Sequence, residues 1–338
     1  MERVKTLPCT NHIRLYPKDI KIVKPKVSGA KLQTRIISAL VLGSIGLAVV
    51  LSGGLVWALW MCLTSYLAAK EYFTLTQTMT EELPHPPPAW AGQLSIALCS
   101  VFSLVVHLAG GKLTYVIMSL MGSYCIVSFF LLTKQKDPHF SQFCAALFGI
   151  FYCGFLTSFW VKLRSLAIAG SSNIASSGSG LIASWPALLG GPEVWTTGLI
   201  ATIMAVLCIV ASDVGAYIFG KTFGKHQMIA VSPNKTMEGA AGGLLSTVGT
   251  AFLVRFVLGW QAGIFQTCCL GVVIFWAAVF GDLVESVMKR NAGVKDSGDA
   301  IPGHGGFLDR FDSYMFTGVA VYFYIVTIMP QWFSGFII

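Results

Sequence analysis

Charge is scarce in this chain. Only 11% of its 338 residues are charged, with 15 acids against 23 Lys and Arg. A soluble domain carries charge on about a quarter of its residues, so this composition excludes one. Paired cysteine motifs are missing too. The nine cysteines include no CxxC pair and no Cys/His spacing suited to zinc, which argues against a thiolate metal centre. Most fall in apolar stretches, where a thiol acts as a small hydrophobe. The first 35 residues hold no apolar core of the kind a cleavable signal peptide needs. They are basic instead, with nine Lys or Arg against Glu2 and Asp19.

What is abundant is apolar sequence. The mean hydropathy is +0.71 and 55% of residues are apolar, which predicts an all-α, multi-pass integral membrane protein. Nine stretches reach or approach the length that crosses about 30 Å of hydrocarbon: residues 36–51, 55–69, 90–109, 113–132, 143–161, 197–219, 239–258, 264–280 and 314–333. The first two are short and joined only by Ser52-Gly53-Gly54, the composition of a tight hairpin. With the N-terminus on the cytoplasmic-type side, 19 of the 23 basic residues fall on that side, leaving Lys112, Lys162, Arg164 and Arg255. Positive charge collects on the cytoplasmic face of membrane proteins, so the asymmetry predicts nine spans with the N-terminus inside.

Four regions follow from composition: a basic arm (1–35), an N-terminal membrane half (36–164), a Ser/Gly-rich outer loop (165–196) and a C-terminal membrane region (197–338). The chemistry is expected in the last, where polar residues multiply inside and beside the spans. Asp282 and Glu285 are three residues apart, as are Asp309 and Asp312. On a helix that spacing puts both members of a pair on one face. Asp282 is expected at the inner end of the eighth span, and Asp309 and Asp312 at the start of the ninth, so all can meet at one membrane boundary. Oxygen-only ligands suit a hard ion such as Mg²⁺. Helix capping is the other explanation, and it accounts for Asp309 and Asp312 better than for Asp282. Asp213, deep in the sixth span, needs a partner or a wet cavity. Downstream of it, glycines, hydroxyls and lysines around Lys221, Lys225, Ser232, Lys235 and Thr236 run into the helix expected from Gly239. That arrangement reads as a phosphate cradle of backbone N–H groups and cations, rather than as a Walker A loop, or else as an ordinary basic loop.

Taken in order, these segments resemble the motifs of the phosphatidate cytidylyltransferases, also called CDP-diacylglycerol synthases. The segments are Ser212-Asp213 before Gly215-Ala216-Tyr217, S-P-N-K-T-M-E-G at 232–239, G-D-L-V-E-S at 281–286, and the run from Lys289-Arg290 through Lys295-Asp296 to P-G-H-G-G-F-L-D-R-F-D at 302–312. The match is strong over 197–320 and weaker at K-L-Q-T-R (31–35) and Glu71-Tyr72-Phe73. The S-F-W-V-K-L-R, K-D-S-G and S-Y-M-F-T-G segments are closer to cyanobacterial and plastid members. Asn234 stands where the family usually has Lys or Arg. The resemblance implies a reaction: CTP plus phosphatidate gives CDP-diacylglycerol and pyrophosphate. It implies Asp282, Asp309 and Asp312 at Mg²⁺ with Asp213 lining the site, and Lys221, Lys225, Ser232, Lys235 and Thr236 at CTP. Lys289, Arg290, Lys295 and His304 would meet the lipid phosphate; His304, between glycines, suits backbone approach or proton transfer. A second cation such as K⁺, a homodimer, no nucleic-acid partner, and a bacterial-type inner or plastid membrane with the site on the cytoplasmic or stromal face complete the expectation. Two other readings stay open: a CTP-dependent polyprenol or phytol kinase, and an ion-coupled transporter. A CDP-alcohol phosphotransferase is disfavoured because its DGxxAR run is absent.

Overall fold

The computed structural model describes residues 32–79, 83–166, 195–229, 232–260, 262–298, 300 and 305–329. The basic arm up to residue 31, most of the outer loop and His304 lie outside the described residues. The described chain is almost wholly helical, as its composition predicts. Its helices are α1 (Leu32–Ser52), α2 (Gly54–Thr78), α3 (Ala89–Leu108), α4 (Leu113–Lys134), α5 (Phe140–Arg164), α6 (Thr197–Phe223), α7 (Met237–Leu258), α8 (Ile264–Asn291) and α9 (Leu308–Ile328). Between α6 and α7 a small antiparallel hairpin pairs β1 (Gln227–Ile229) with β2 (Ser232–Thr236), with Gln227 opposite Thr236 and Ile229 opposite Ser232. Among the described residues seven helices, α3 to α9, are long and apolar enough to cross a membrane. Helix α2 is outside that set; it carries Lys70 and Glu71 and ends in a polar turn.

Local chemistry explains the breaks. Helices α1 and α2 are separated by Gly53 alone, at φ 61°, with Gly54 at φ 52°, a left-handed backbone that glycine adopts without a Cβ clash. Arg164 stabilises this corner: its Nε donates to Val50 O at 2.8 Å and its Nη2 to Leu51 O at 3.2 Å, covering carbonyls that a helix end leaves unpaired. The helix break expected at Ser52–Gly54 is therefore present. Within α5, Ile150–Phe155 is a π-helical turn, and α9 closes in another at Tyr324–Ile328.

Two apolar clusters fill the bundle. One joins α1, the first half of α2, the end of α5, α6, α7, the first half of α8 and the end of α9; Trp57, Phe159, Met204 and Ile274 lie in it. The other joins the end of α2, α3, the start of α5, the end of α8 and the start of α9, around Tyr72, Phe102, Tyr152 and Leu308. Polar groups tie the helices together where no water competes. Tyr72 Oη donates to Ala145 O at 2.8 Å, Trp57 Nε1 to Trp160 O at 3.0 Å, and Trp160 Nε1 to Tyr314 O at 3.0 Å.

Small residues set how close the C-terminal helices come. On the α6–α7 face a Cβ at Gly243 would sit 3.1 Å from Ser212 O, and one at Gly239 2.9 Å from Ala216 O. On the α8–α9 face a Cβ at Gly281 would sit 2.9 Å from the Asp312 carbonyl carbon and 3.2 Å from Ser313 Cα. Backbone cannot swing aside as a side chain can. Gly281→Ala is therefore expected to push α9 off α8 and lower stability by about 1–3 kcal/mol, the usual range for overpacking. Thermal unfolding in detergent checks this; an unchanged midpoint would show that α8 and α9 tolerate a methyl at their crossing.

Candidate active site

Helix α8 does not stop where its apolar run ends at Phe280. It continues to Asn291, so Asp282 lies inside a helix and not at its C-terminus. The continuation winds Asp282, Glu285, Ser286 and Lys289 onto one face, at the three- and four-residue spacings that align side chains on a helix. The first turns of α9 face it with Asp309 and Asp312.

The acids divide into two groups. Asp282, Glu285 and Asp312 each bring one carboxylate oxygen within 4.8 Å of the others. Glu285 is wholly buried and Asp312 is 7% exposed. Asp282 is paired with Lys235 of β2 and accepts from Ser286 Oγ at 3.4 Å; Asp312 accepts from the Ser313 N–H at 2.7 Å. Among the described residues neither oxygen of Glu285 has a directed hydrogen bond, although Lys289 Nζ lies 2.5 Å from Oε2. Lys235 and Lys289 already lie against two of these acids; the three carboxyl groups together could hold a metal cation as well, and an all-oxygen set suits a hard one.

Asp309 belongs to the second group. Its Oδ1 accepts from Lys289 Nζ at 2.6 Å, and its Oδ2 accepts from the N–H groups of Ser297 at 2.8 Å and Gly306 at 3.1 Å. Lys289 thus stands between Glu285 and Asp309, its ammonium held by both. Sequence spacing alone paired Asp309 with Asp312; the structure turns them to different partners.

Beside the three acids a cleft of about 190 Å³ opens between α6, the hairpin and α8, lined by Asp213, Asn234, Lys235, Thr236 and Asp282. Thr236 also caps α7, its Oγ1 accepting from Gly239 N at 3.1 Å. Glu238, in the first turn of α7, accepts from the Lys225 and His226 N–H groups at 3.1 and 3.3 Å and meets His226 Nδ1 at 2.6 Å. These contacts fix the hairpin over the helix N-terminus. Lys221, Lys225 and Ser232 do not line the cleft. Lys221 and Lys225 are exposed beside it, the Lys221 ammonium 5.7 Å from the Tyr217 ring centre. Arg290 is half-buried at the end of α8 and Lys295 exposed just beyond. The segment Gly215-Ala216-Tyr217-Ile218-Phe219-Gly220-Lys221-Thr222 does have the GxxxxGK[ST] letter spacing, contrary to its expected absence here. It lies inside the continuous helix α6, whose backbone N–H groups are internally bonded, so it forms no phosphate-binding loop.

Two buried acids escaped the expected site. Glu285 was visible only as a neighbour of Asp282. Glu71 lies on α2, 8% exposed; beyond the weak family match at Glu71-Tyr72-Phe73, its signal in the sequence is an acid after an apolar stretch, which demands a partner once buried. The partners are Ser297 Oγ, Phe307 N and Leu308 N, each donating to it at 2.8 Å.

A helical membrane bundle with three carboxylates beside a glycine-tight cleft that carries Lys235 is a membrane-embedded protein with groups that could hold a cation next to an anion. Comparison with known proteins places it further. The family model described as the cytidylyltransferase family matches residues 33–328, and the chain belongs to that family. It is 40% identical over 285 residues to phosphatidate cytidylyltransferase 5, chloroplastic, of Arabidopsis thaliana, covering 83% of this chain and 69% of that one. It is 36% identical over 296 residues to the phosphatidate cytidylyltransferase of Synechocystis sp., covering 88% and 97%. With the Staphylococcus epidermidis phosphatidate cytidylyltransferase the identity is 30% over 291 residues, covering 84% and 95%. The cyanobacterial and plastid resemblance seen in the sequence thus agrees with these identities.

Proposed function

We propose that this chain is a phosphatidate cytidylyltransferase, making CDP-diacylglycerol and pyrophosphate from CTP and phosphatidate. The observation that carries the reading is the cluster of Asp282, Glu285 and Asp312 beside the Lys235 cleft, in a chain of the cytidylyltransferase family. A phosphate oxygen of phosphatidate attacks the α-phosphorus of CTP, forming one P–O bond as the bond to the bridging β-phosphate oxygen breaks, and pyrophosphate leaves. Phosphatidate is already anionic, so the step needs positioning and charge neutralisation more than a strong base.

Lys235 and Thr236, with Asn234 beside them, face the triphosphate in this reading. Lys221, Lys225 and Ser232 lie on its approach. Arg290 and Lys295, with Lys289 behind them and His304 on the same connection, receive the lipid phosphate. Asp282, Glu285 and Asp312 would hold Mg²⁺, with Asp213 lining the site, and Asp309 acts beside them through Lys289. Mg²⁺ supplies neutralisation of triphosphate charge when bound. The surplus of basic residues on one side supports a site on the cytoplasmic or stromal-type face. A second cation such as K⁺ and a homodimer belong to the same reading.

Nucleotide choice tests it. At equal Mg²⁺, CTP is expected to support lipid product and ATP to fail. Lys235→Ala removes a cation that faces the cleft and is expected to raise the KM for CTP about tenfold, while leaving that for phosphatidate within about twofold. Equal use of ATP would instead point to a kinase or a pocket blind to the base.

A further inference from the structure

Glu71 is remote in sequence from the strongly matching segments at 197–320, yet it sits at the junction of α8 and α9. Three donors converge on its carboxylate: Ser297 Oγ and Leu308 N on Oε2, and Phe307 N on Oε1. Helix α9 begins behind Phe307, which has no side chain able to cap it and forms no cap hydrogen bond. The first N–H groups of a helix need an acceptor, and here a carboxylate from another helix supplies it.

The backbone is shaped to receive that carboxylate. A Cβ at Gly306 would sit 2.6 Å from Gly298 N and 2.7 Å from Glu71 Oε2, and one at Gly298 2.8 Å from Glu71 Oε1. Ser297 links Glu71 to Asp309: its hydroxyl donates to Glu71, its N–H donates to Asp309 at 2.8 Å, and its Oγ accepts from Asp309 N at 3.3 Å. Asp309 in turn holds Lys289, and Asp312 follows one turn along α9 at the three-acid cluster.

We infer that Glu71 is a positioning residue for the transfer reaction, clamping both described ends of the α8–α9 connection so that the lipid-phosphate side of the site is held in register. The inference rests on the proposed function. The hydrogen bonds of Glu71 run to the α8–α9 connection and not to the hairpin or α7, where the nucleotide cleft lies, so its effect divides between the substrates. A general loss of folding would not divide in that way.

The test uses the full-length chain in detergent, with kinetics in both substrates and a thermal unfolding curve. Glu71→Gln keeps the size but sets an NH₂ group against backbone N–H donors. It is expected to raise the KM for phosphatidate by about tenfold or more while the KM for CTP stays within about twofold. Ser297→Ala removes one of the three donors and should move the same constants the same way by less; it carries the test if Glu71→Gln does not fold. Unchanged constants in folded Glu71→Gln, or a loss that tracks only the folded fraction, would overturn the positioning role. No conversion by the parent chain would remove the proposed function, and the role with it.

Discussion

Asp312→Asn is expected to lower turnover by about 10²–10³-fold, the range seen when a group that stabilises transition-state charge is removed, without lowering stability. The substitution keeps the size, and Asn Oδ1 can still accept from the Ser313 N–H that Asp312 Oδ1 now accepts at 2.7 Å. What goes is one of three carboxyl groups gathered within 4.8 Å. With its size and hydrogen bond kept, the fold is expected to stay as stable as the parent or more so. A protein damaged by misfolding would lose both properties, so turnover and thermal unfolding measured on one preparation separate the cases. A monodisperse Asp312→Asn protein working at the parent rate would take Asp312 out of the site.

Lys289→Met is expected to do the reverse and strike stability first. Lys289 Nζ lies 2.5 Å from Glu285 Oε2 and 2.6 Å from Asp309 Oδ1, and Glu285 is fully buried with no directed hydrogen bond of its own among the described residues. Removing the shared cation leaves two carboxylates facing each other out of water. Breaking a buried ion pair in this way costs about 3–5 kcal/mol. Glu285→Gln placed on the Lys289→Met background should restore part of the loss, because the two changes touch one interaction and are not additive. Chemical unfolding in mild detergent measures it. A Lys289→Met midpoint equal to the parent's would mean that the ammonium does not hold the crossing together.

The helices were legible because a membrane span has one dominant signal, a long apolar run. The stretches at 113–132 and 239–258 match α4 and α7 to within two residues. The same signal misplaced the ends that matter for function. The apolar run of the eighth span ends at Phe280, whereas α8 runs on to Asn291 because helical hydrogen bonding does not stop where hydrocarbon does. Asp282 thereby moved from a helix end to a helix interior, and Glu285 and Lys289 joined its face. Pairing across elements was not legible at all. Nothing in the spacing of Asp309 and Asp312 shows that Asp309 turns to Lys289 while Asp312 lies in the cluster with Asp282, since that depends on how α9 is rotated against α8. Glu71 meets Ser297 and Leu308 only because α2 packs beside the α8–α9 junction, and no local pattern encodes that contact. The segments around Asp213, Lys235, Asp282 and Asp312 could be read as one site because their order along the chain resembles a known family.

Cytidylyl transfer and phosphoryl transfer leave different atoms of CTP in the lipid. The purified chain, given phosphatidate and Mg²⁺, can be supplied with CTP labelled at the α-phosphate or at the γ-phosphate, and the lipid product counted in each case. Attack at the α-phosphorus predicts α-label in the lipid, γ-label released only as pyrophosphate, and neither outcome when Mg²⁺ is chelated. Label from the γ-phosphate in the lipid, with the α-label remaining in CDP, would contradict it and make the protein a kinase.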